Sequence, residues 1–315
     1  MVFNSDSHFE IGSSHKVCED FAIHGSMEDP NGDILHYGIV SDGCSSSMVQ
    51  NGIRLPINVD TGARLLAIIA KQAIKESLMT LKVLDENLNN ALRHHILSKM
   101  DIIARQIGLP IQAMDCTLLI SIVYKNRYFS TVWGDGVVVY DTNIFIFIKI
   151  IEFESRAPFY LSYSLDDERK DLYKEKFGKQ NKIVTTLKLD HGFTLTGKPE
   201  IETIPYYESV MQCEEEVMQC HEFPGNNCLI KSLSVISDGV QTYQKKREGK
   251  HEKYKIPVEQ IIPKFVEING TKGNFLGRIM NLVKQWEKKK EIDHYDDFSI
   301  ATIVRIQTPK DQVNG

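Results

Sequence analysis

Short runs rich in β-branched and aromatic residues recur along the chain, and two long amphipathic helices are grouped among them instead of alternating with each run. In the first helix, apolar residues recur at helical spacing from Ala63 to Ile74 behind a candidate N-cap, Asp60. The second runs from about Asp85 to Ile107 and ends before Pro110. Grouped helices favour an α+β fold with antiparallel sheets over a doubly wound parallel sheet. The predicted strands are Ile34–Val40, Thr117–Tyr124, Arg127–Trp133, Val137–Tyr140, Ile144–Phe153, Leu229–Ile236 and Phe298–Ile306.

The composition is typical of one globular domain. The chain has 315 residues, of which 42% are hydrophobic and 25% charged, and no Pro/Ser-rich linker divides it. We therefore expect a single domain over residues 1–315. The least recognisable sequence lies within about 145–227, which leaves room there for an insertion or a lid.

Charge and hydropathy exclude several classes of partner. The formal net charge is -5, so the chain has no overall field that would attract nucleic acid or an anionic membrane. The longest apolar run, Ile144 to Ile151, is much shorter than the ~20 residues of a membrane-spanning helix. The first residues lack the basic and apolar regions of a secretory signal. We expect a cytoplasmic protein with reduced cysteines.

Acidic residues stand at the ends of the predicted strands. Asp42-Gly43 and Asp238-Gly239 each directly follow a strand, whereas Asp296-Asp297 immediately precedes the last one. Because antiparallel neighbours run in opposite directions, the end of one strand and the start of the next lie at the same edge of a sheet. These carboxylates are therefore expected to converge. Asp135, which lies between two strands, and Glu19 and Asp20, which precede a short apolar stretch, are expected to join them.

Converging carboxylates repel one another unless cations neutralise them. A ligand set of oxygen atoms alone favours Mg²⁺ or Mn²⁺ over Zn²⁺. Two such ions about 3.5–4 Å apart can bind a bridging hydroxide and stabilise an in-line phosphoryl displacement. The pattern thus favours a Mg²⁺ or Mn²⁺ site and is compatible with a two-ion centre that could act on phosphoesters.

The ordered set of acidic motifs resembles the metal-dependent protein phosphatase family (type 2C). It consists of Glu19-Asp20, Asp42-Gly43, Gly134-Asp135-Gly136, Ser237-Asp238-Gly239 and Asp296-Asp297-Phe298-Ser299, and it extends from about Gly12 to Ile306. The first motif and Gly62-Ala63 at the start of the first helix are more similar to the divergent prokaryote-type branch than to the eukaryotic core.

The resemblance implies a four-layer α/β-β/α sandwich of two antiparallel sheets flanked by helices, with two Mn²⁺ or Mg²⁺ ions between the sheets. By the same resemblance Asp42 would bridge both ions, and the carbonyl of Gly43 would bind one of them. Asp238 and Asp296 would hold the other ion. Glu19 and Asp20 would act through bound water, and Asp135 would hold a third, weaker ion together with Asp238. The implied reaction is hydrolysis of phosphoserine or phosphothreonine in a phosphorylated protein, opposite a cognate kinase in signalling.

Two positions depart from the family pattern. In the family the general acid is a His after the Asp-Gly, and the residue here is Cys44. The family's phosphate-binding Arg is replaced by His15, which could still contact the substrate phosphate when protonated, with a weaker and pH-dependent charge. A pseudophosphatase that binds a phosphorylated or regulatory partner without turnover is therefore the main alternative. Hydrolysis of a small phosphoester or nucleotide is a third interpretation, although no Walker-type loop is present.

Overall fold

A computed structural model describes residues 2–306 except 45–46, 51–52, 57–58, 81–85, 126, 206–213, 220–229, 246–253 and 269–272. Five α-helices are described: α1 Val59–Thr80, α2 Glu86–Ile107, α3 Asp167–Phe177, α4 Val258–Val266 and α5 Phe275–Lys290. The described strands are β1 Val2–Glu10, β2 Phe21–Glu28, β3 Ile34–Gly43, β4 Ser47–Gln50, β5 Ile53–Pro56, β6 Cys116–Tyr124, β7 Arg127–Trp133, β8 Gly136–Thr142, β9 Ile146–Phe153, β10 Asn181–Leu189, β11 Glu200–Pro205, β12 Glu214–Gln219, β13 Ile230–Ile236, β14 Tyr243–Lys245, β15 Tyr254–Lys255, β16 Ile292–His294 and β17 Phe298–Ile306.

Two large antiparallel sheets form the centre of the molecule. One has seven strands in the order β1-β17-β13-β8-β9-β10-β11, and the other has five in the order β12-β7-β6-β3-β2. A three-stranded sheet, β15-β14-β16, and the β4-β5 hairpin complete the described strands. Three of the seven strands, β9, β10 and β11, belong to the 145–227 segment, so part of that segment is built into the large sheet.

Alternation along the strands divides the apolar side chains between separate cores. In β6, Leu118, Ile120 and Ile122 pack with α1 and α2, whereas Leu119 and Val123 pack between the two sheets. This follows from the two-residue period of a strand, whose successive side chains point to opposite faces. A third core lies between the seven-stranded sheet and helices α4 and α5. The layer order is helix, sheet, sheet, helix, and the predicted four-layer α+β sandwich is confirmed.

The sheets approach each other closely where small residues face across the interface. A Cβ atom on Gly38 of β3 would lie 2.8 Å from Ser121 Oγ and 3.0 Å from the Cβ of Ala301 in β17. The same close packing holds α1 in place, since a Cβ on Gly62 would lie 1.6 Å from the carbonyl oxygen of Ala113. One prediction was wrong in detail: α1 begins at Val59, so Asp60 lies in its first turn and is not its N-cap.

Candidate metal centre

The predicted acidic residues come from both large sheets and meet at one edge of the sandwich. In the five-stranded sheet, Asp42 lies at the end of β3, and Asp20 immediately precedes β2, whose first residue pairs with Ser41. In the seven-stranded sheet, Asp238 follows β13 and Asp296 precedes β17, with Ile236 paired to Ile300. The antiparallel register therefore puts each pair of carboxyl groups at the same end of its sheet.

Asp42 lies at the centre of this set. Its carboxyl group is within hydrogen-bonding distance of those of Asp20 and Asp238, one from each sheet. Burial, and then the charges of Asp20 and Asp238, raise the pKa of Asp42 well above its usual range. Burial also raises the pKa of Asp20, which is only 1% exposed. Three carboxyl groups in such contact require shared protons or a cation between them.

Asp20 is fixed in position by the seven-stranded sheet, although it belongs to the other half of the fold. Ser299 in β17 donates a hydrogen bond of 2.7 Å from its hydroxyl to Asp20 Oδ2. The other oxygen, Oδ1, is buried and receives no N–H or hydroxyl donor among the described residues, so that only a proton shared with Asp42 or a cation can satisfy it. A buried carboxylate oxygen without a donor is costly, and a bound cation would satisfy it.

Asp135 and Asp296 complete the site on the side of Asp238. Asp135 lies in the turn between β7 and β8, and its neighbours Gly134 and Gly136 have φ values of +107° and +139°. These angles are open to glycine and strained for other residues, so the turn keeps Asp135 against the site. Burial, followed by the charge of Asp238, raises the pKa of both Asp135 and Asp296.

The residues present fit hard divalent cations. The converging donors are carboxylate oxygens, and Gly43, which ends β3, lies beside them with its backbone carbonyl. Within the described part of the chain, no three His, Cys, Asp or Glu side chains already surround a metal-sized position. The side chains of Asp20, Asp42 and Asp238 contact each other instead, and cations in place of their shared protons would separate them.

A loop at the N-terminal side of β2 is attached to the start of β17 by Asp297. The Asp297 carboxylate is 2% exposed and accepts hydrogen bonds from the backbone N–H of Gly12, at 2.7 Å, and of Glu19, at 2.5 Å. The sequence analysis did not assign a role to Asp297. Its position next to Asp296 is the sequence signal that indicates a different role. Adjacent residues at the start of a strand point to opposite faces, so Asp296 and Asp297 cannot both face the same set of ligands.

His15 lies between the two aspartates. Its Nδ1 is 3.0 Å from Asp297 Oδ2, and its Nε2 is 3.4 Å from Asp296 Oδ1. Burial lowers the pKa of His15, but Asp297 and Asp296 together outweigh that effect and raise it. The predicted contact of His15 with phosphate stays a prediction, and the structure adds two carboxylates that compete for the ring.

Cys44 directly follows the Asp42-Gly43 motif and lies beside Asp115. The backbone N–H of Cys44 donates a hydrogen bond of 2.9 Å to the carbonyl of Asp115, and burial raises the pKa of the Cys44 thiol. The Cys44 side chain contacts Tyr160, and the negative charge of Glu19 also raises the pKa of its thiol. Tyr160 was missed in the sequence, where an aromatic-rich run around it was the available signal.

Comparison with known proteins places these observations in a family. The sequence model described as Protein phosphatase 2C matches residues 11–150, which include Glu19, Asp20, Asp42, Gly43 and Asp135. No curated protein sequence matches the chain. Among the described residues, no helix combines the length and the apolar character needed to cross a membrane.

Several solved structures are similar to this chain at low identity. A bacterial serine phosphatase with a point substitution is 12% identical, with a TM-score of 0.47 over 98% of this chain and 100% of that one. PppA, a regulatory component of T6SS in Pseudomonas aeruginosa, is 14% identical, with a TM-score of 0.46 over 97% and 99%. Serine/threonine phosphatase Stp1 from Staphylococcus aureus is 11% identical, with a TM-score of 0.43 over 98% and 96%.

At these identities and TM-scores nothing about the chemistry of this chain follows from the solved structures. The match over residues 11–150 confirms the resemblance independently of them. Over residues 11–150 the chain is similar to the protein phosphatase 2C family, the metal-dependent protein phosphatases.

Proposed function

We propose that the protein is a metal-dependent phosphatase that hydrolyses phosphoserine or phosphothreonine in phosphorylated proteins. The observation that carries this proposal is the contact of Asp42 with Asp20 and Asp238, which joins oxygen donors from both sheets at one point. Two Mn²⁺ or Mg²⁺ ions bound there would activate a water molecule for attack on phosphorus.

The acidic residues of both sheets would hold the metal ions and the bound water. Asp42 and the carbonyl of Gly43 would hold one ion, with Asp42 also reaching the other, which Asp238 and Asp296 would bind. Glu19 and Asp20 would act through bound water, and Ser299 orients Asp20 for this. Asp135, facing Asp238, would hold a third ion.

The test is hydrolysis of p-nitrophenyl phosphate and of a phosphoserine peptide by purified protein with Mn²⁺, with Mg²⁺ and with EDTA. We expect turnover with either metal, none with EDTA, and none in Asp42→Asn. The matched control is Asp101→Asn, which removes a carboxylate on α2 whose described partner is Arg105, far along the chain from the site. Asp42→Asn with full activity would refute the assignment.

Asp135 allows a separate test of the third ion. We expect Asp135→Ala to leave two ions bound, as counted by calorimetry with Mn²⁺, and to lower kcat. An unchanged kcat would remove the third ion from the proposal.

A pseudophosphatase is the second candidate. It is favoured by Cys44 in place of a general acid and by the engagement of His15 with Asp296 and Asp297. Manganese binding without turnover of any phosphoester would support this candidate over the enzyme.

The partners follow from the chemistry. A phosphorylated protein substrate requires a kinase that supplies it, and we place both in the cytoplasm. The three cysteines whose state is described, Cys18, Cys44 and Cys116, are free thiols, which supports a reducing compartment.

A further inference from the structure

A cavity of about 380 Å³ lies between the small sheet β15-β14-β16 and the helices α4 and α5. The sheet forms one wall, because Tyr254 of β15 and Ile292 of β16 both pair with Lys245 of β14, and paired side chains lie on the same face. Another wall is α5, where Trp286 and Lys290 are four residues apart and share one helix face. The volume is at the lower end of the roughly 300–1,000 Å³ of ligand pockets, which is enough for one large side chain.

The cavity, here called the basic pocket, combines aromatic walls with positive charge. Trp286 is half-buried and packs against the core between the seven-stranded sheet and α4 and α5, whereas Tyr254 is 59% exposed. Lys245 and Lys290 are both exposed, and none of the described lining residues is acidic. Such a lining fits an apolar or aromatic side chain that has carboxylates beside it.

Positive charge continues on the helix faces next to the basic pocket. On α4, Lys264 lies one turn after the lining residue Gln260, and on α5 Lys289 lies three residues after the tryptophan; both lysines are exposed. The exposed carboxylates nearby are those of Glu267 and Glu291, the C-cap residues of the two helices. The surface is thus locally basic in a chain of net charge -5, and it is wider than a small anion needs, which favours an extended acidic ligand.

The strands β14 and β16 connect the basic pocket to the candidate metal centre. Asp238 begins the turn that leads into β14, and Asp296 lies two residues beyond the end of β16. The hydroxyl oxygen of Thr242 accepts the N–H groups of Tyr295 and Asp296, at 3.1 Å each, and so holds these two segments together. Between Ile292 at the pocket and Asp296 an extended chain spans at most about 14 Å. A few residues of a bound peptide cover this distance.

We propose that the basic pocket is a docking site for an acidic segment of the phosphoprotein substrate. The segment inserts an aromatic or aliphatic side chain against Trp286 and places carboxylates beside Lys245 and Lys290. This inference rests on the proposed phosphatase function. Because the docked segment binds equally well in the ground state and in the transition state, docking lowers KM and leaves kcat unchanged.

Fluorescence measures docking without turnover. The chain has two tryptophans, and Trp133 is only 5% exposed, so a ligand in the basic pocket acts on the emission of Trp286. The probe is an unphosphorylated peptide with the sequence Asp-Asp-Phe-Asp-Asp, added to the full-length protein in EDTA. We expect saturable quenching, no quenching in Trp286→Phe, and weaker binding at high salt, which screens exposed charges.

A pair of variants isolates the charge. Exposed ion pairs contribute up to roughly fivefold each in affinity, so the double variant Lys245→Ala/Lys290→Ala should bind the acidic peptide about tenfold more weakly. The matched control is Lys71→Ala/Lys75→Ala, which removes two exposed lysines at the same spacing from α1. The control should bind the peptide as the wild type does.

Turnover tests whether docking serves the substrate. Two phosphoserine peptides are compared with Mn²⁺, one of which carries the acidic segment on both sides through Gly-Ser linkers of about six residues, long enough to span the distance to the pocket. We expect equal kcat values and a KM about tenfold lower for the peptide with the segment. The ratio of the two KM values should approach one in Lys245→Ala/Lys290→Ala and stay unchanged in the control.

The outcomes separate this proposal from the phosphatase function. Equal KM values in the wild type, or a preference that survives in Lys245→Ala/Lys290→Ala, would overturn the docking site and leave the phosphatase intact. Saturable quenching by adenosine monophosphate with none by the acidic peptide would assign the pocket to a small aromatic anion and overturn the proposal. Quenching by the acidic peptide without turnover of any phosphoester would overturn the phosphatase function and support an acidic partner at this surface.

Discussion

Asp297 offers a quantitative test of how the site is assembled, because its carboxylate is buried and its partners are known. It accepts the N–H groups of Gly12 and Glu19 and lies 3.0 Å from His15 Nδ1. In Asp297→Asn only one side-chain oxygen remains, so one of the two N–H groups loses its acceptor and faces an NH₂ group instead.

The size of the effect follows from these two bonds. A hydrogen bond to a charged group contributes about 1.5–3 kcal/mol, and a buried donor left unpaired costs about 1–3 kcal/mol. We therefore expect Asp297→Asn to lower the free energy of unfolding by roughly 3–5 kcal/mol. Urea unfolding followed by circular dichroism in EDTA measures it, since EDTA removes any contribution of metal binding.

The neighbouring residue provides the matched control. The Asp296 side chain is 43% exposed and accepts only the N–H of Asp297 among the described hydrogen bonds, which an Asn oxygen can still do. Asp296→Asn should stay within about 0.5 kcal/mol of the wild type in EDTA. It should nevertheless weaken Mn²⁺ binding in calorimetry. If Asp297→Asn unfolds within about 1 kcal/mol of the wild type, the assignment of Asp297 as the loop's anchor is wrong.

Three further predictions concern stability. Manganese at a hundredfold its dissociation constant should stabilise the wild type by about 2.7 kcal/mol in thermal unfolding. Asp42→Asn should not be stabilised by manganese, yet in EDTA it should be more stable than the wild type. If manganese also stabilises this variant, the assignment of Asp42 as a metal ligand is contradicted. Burial raises the pKa of Asp141 to about 6 despite Lys231 and His191 nearby. The folded state therefore binds more protons than the unfolded one between the unfolded value of 3.8 and about 6, and stability falls as pH rises through that window. Asp141→Asn should raise the free energy of unfolding by up to roughly 3 kcal/mol near pH 7 and by little near pH 4, as measured by urea unfolding. An equal gain at both pH values would exclude the raised pKa of Asp141 as its cause. Gly62→Ala should cost about 3 kcal/mol because its Cβ meets the Ala113 carbonyl, whereas Lys71→Ala on the exposed face of α1 should cost little.

The sequence predicted strands best where a run of β-branched and aromatic residues is also buried in the fold. The last strand was predicted as Phe298–Ile306, which is its observed range, because the run is rich in β-branched residues and both of its faces are buried in cores. Antiparallel pairing then brought Asp42 and Asp20 together, as well as Asp238 and Asp296, since pairing fixes which strand ends are neighbours. The four-layer arrangement followed from the resemblance and was confirmed.

Two parts of the structure could not be read from the sequence. β1 and β10 were not predicted, since their alternation is broken by polar and charged residues such as Asp6 and Lys182 that are buried in the sheet. The position of Tyr160 was not predicted either. An aromatic residue in a loop has no local signal for its partner, and the Arg169–Asp115 contact that directs it joins residues 54 positions apart. The single-domain prediction for residues 1–315 stays a prediction.

The hydrogen bond from Gly12 to Asp297 spans 285 positions of the chain, and this has a consequence for how the protein is made. A nascent chain emerging from the ribosome holds Glu19, Asp20 and Asp42 long before it holds β17, which lies between β1 and β13. Until then β1 has no described sheet partner and the carboxylates of the first half face no counterpart. Such distant contacts form late in folding. Truncation before residue 298 would therefore remove the strand that joins β1 to β13, and with it Ser299, which holds Asp20 in position.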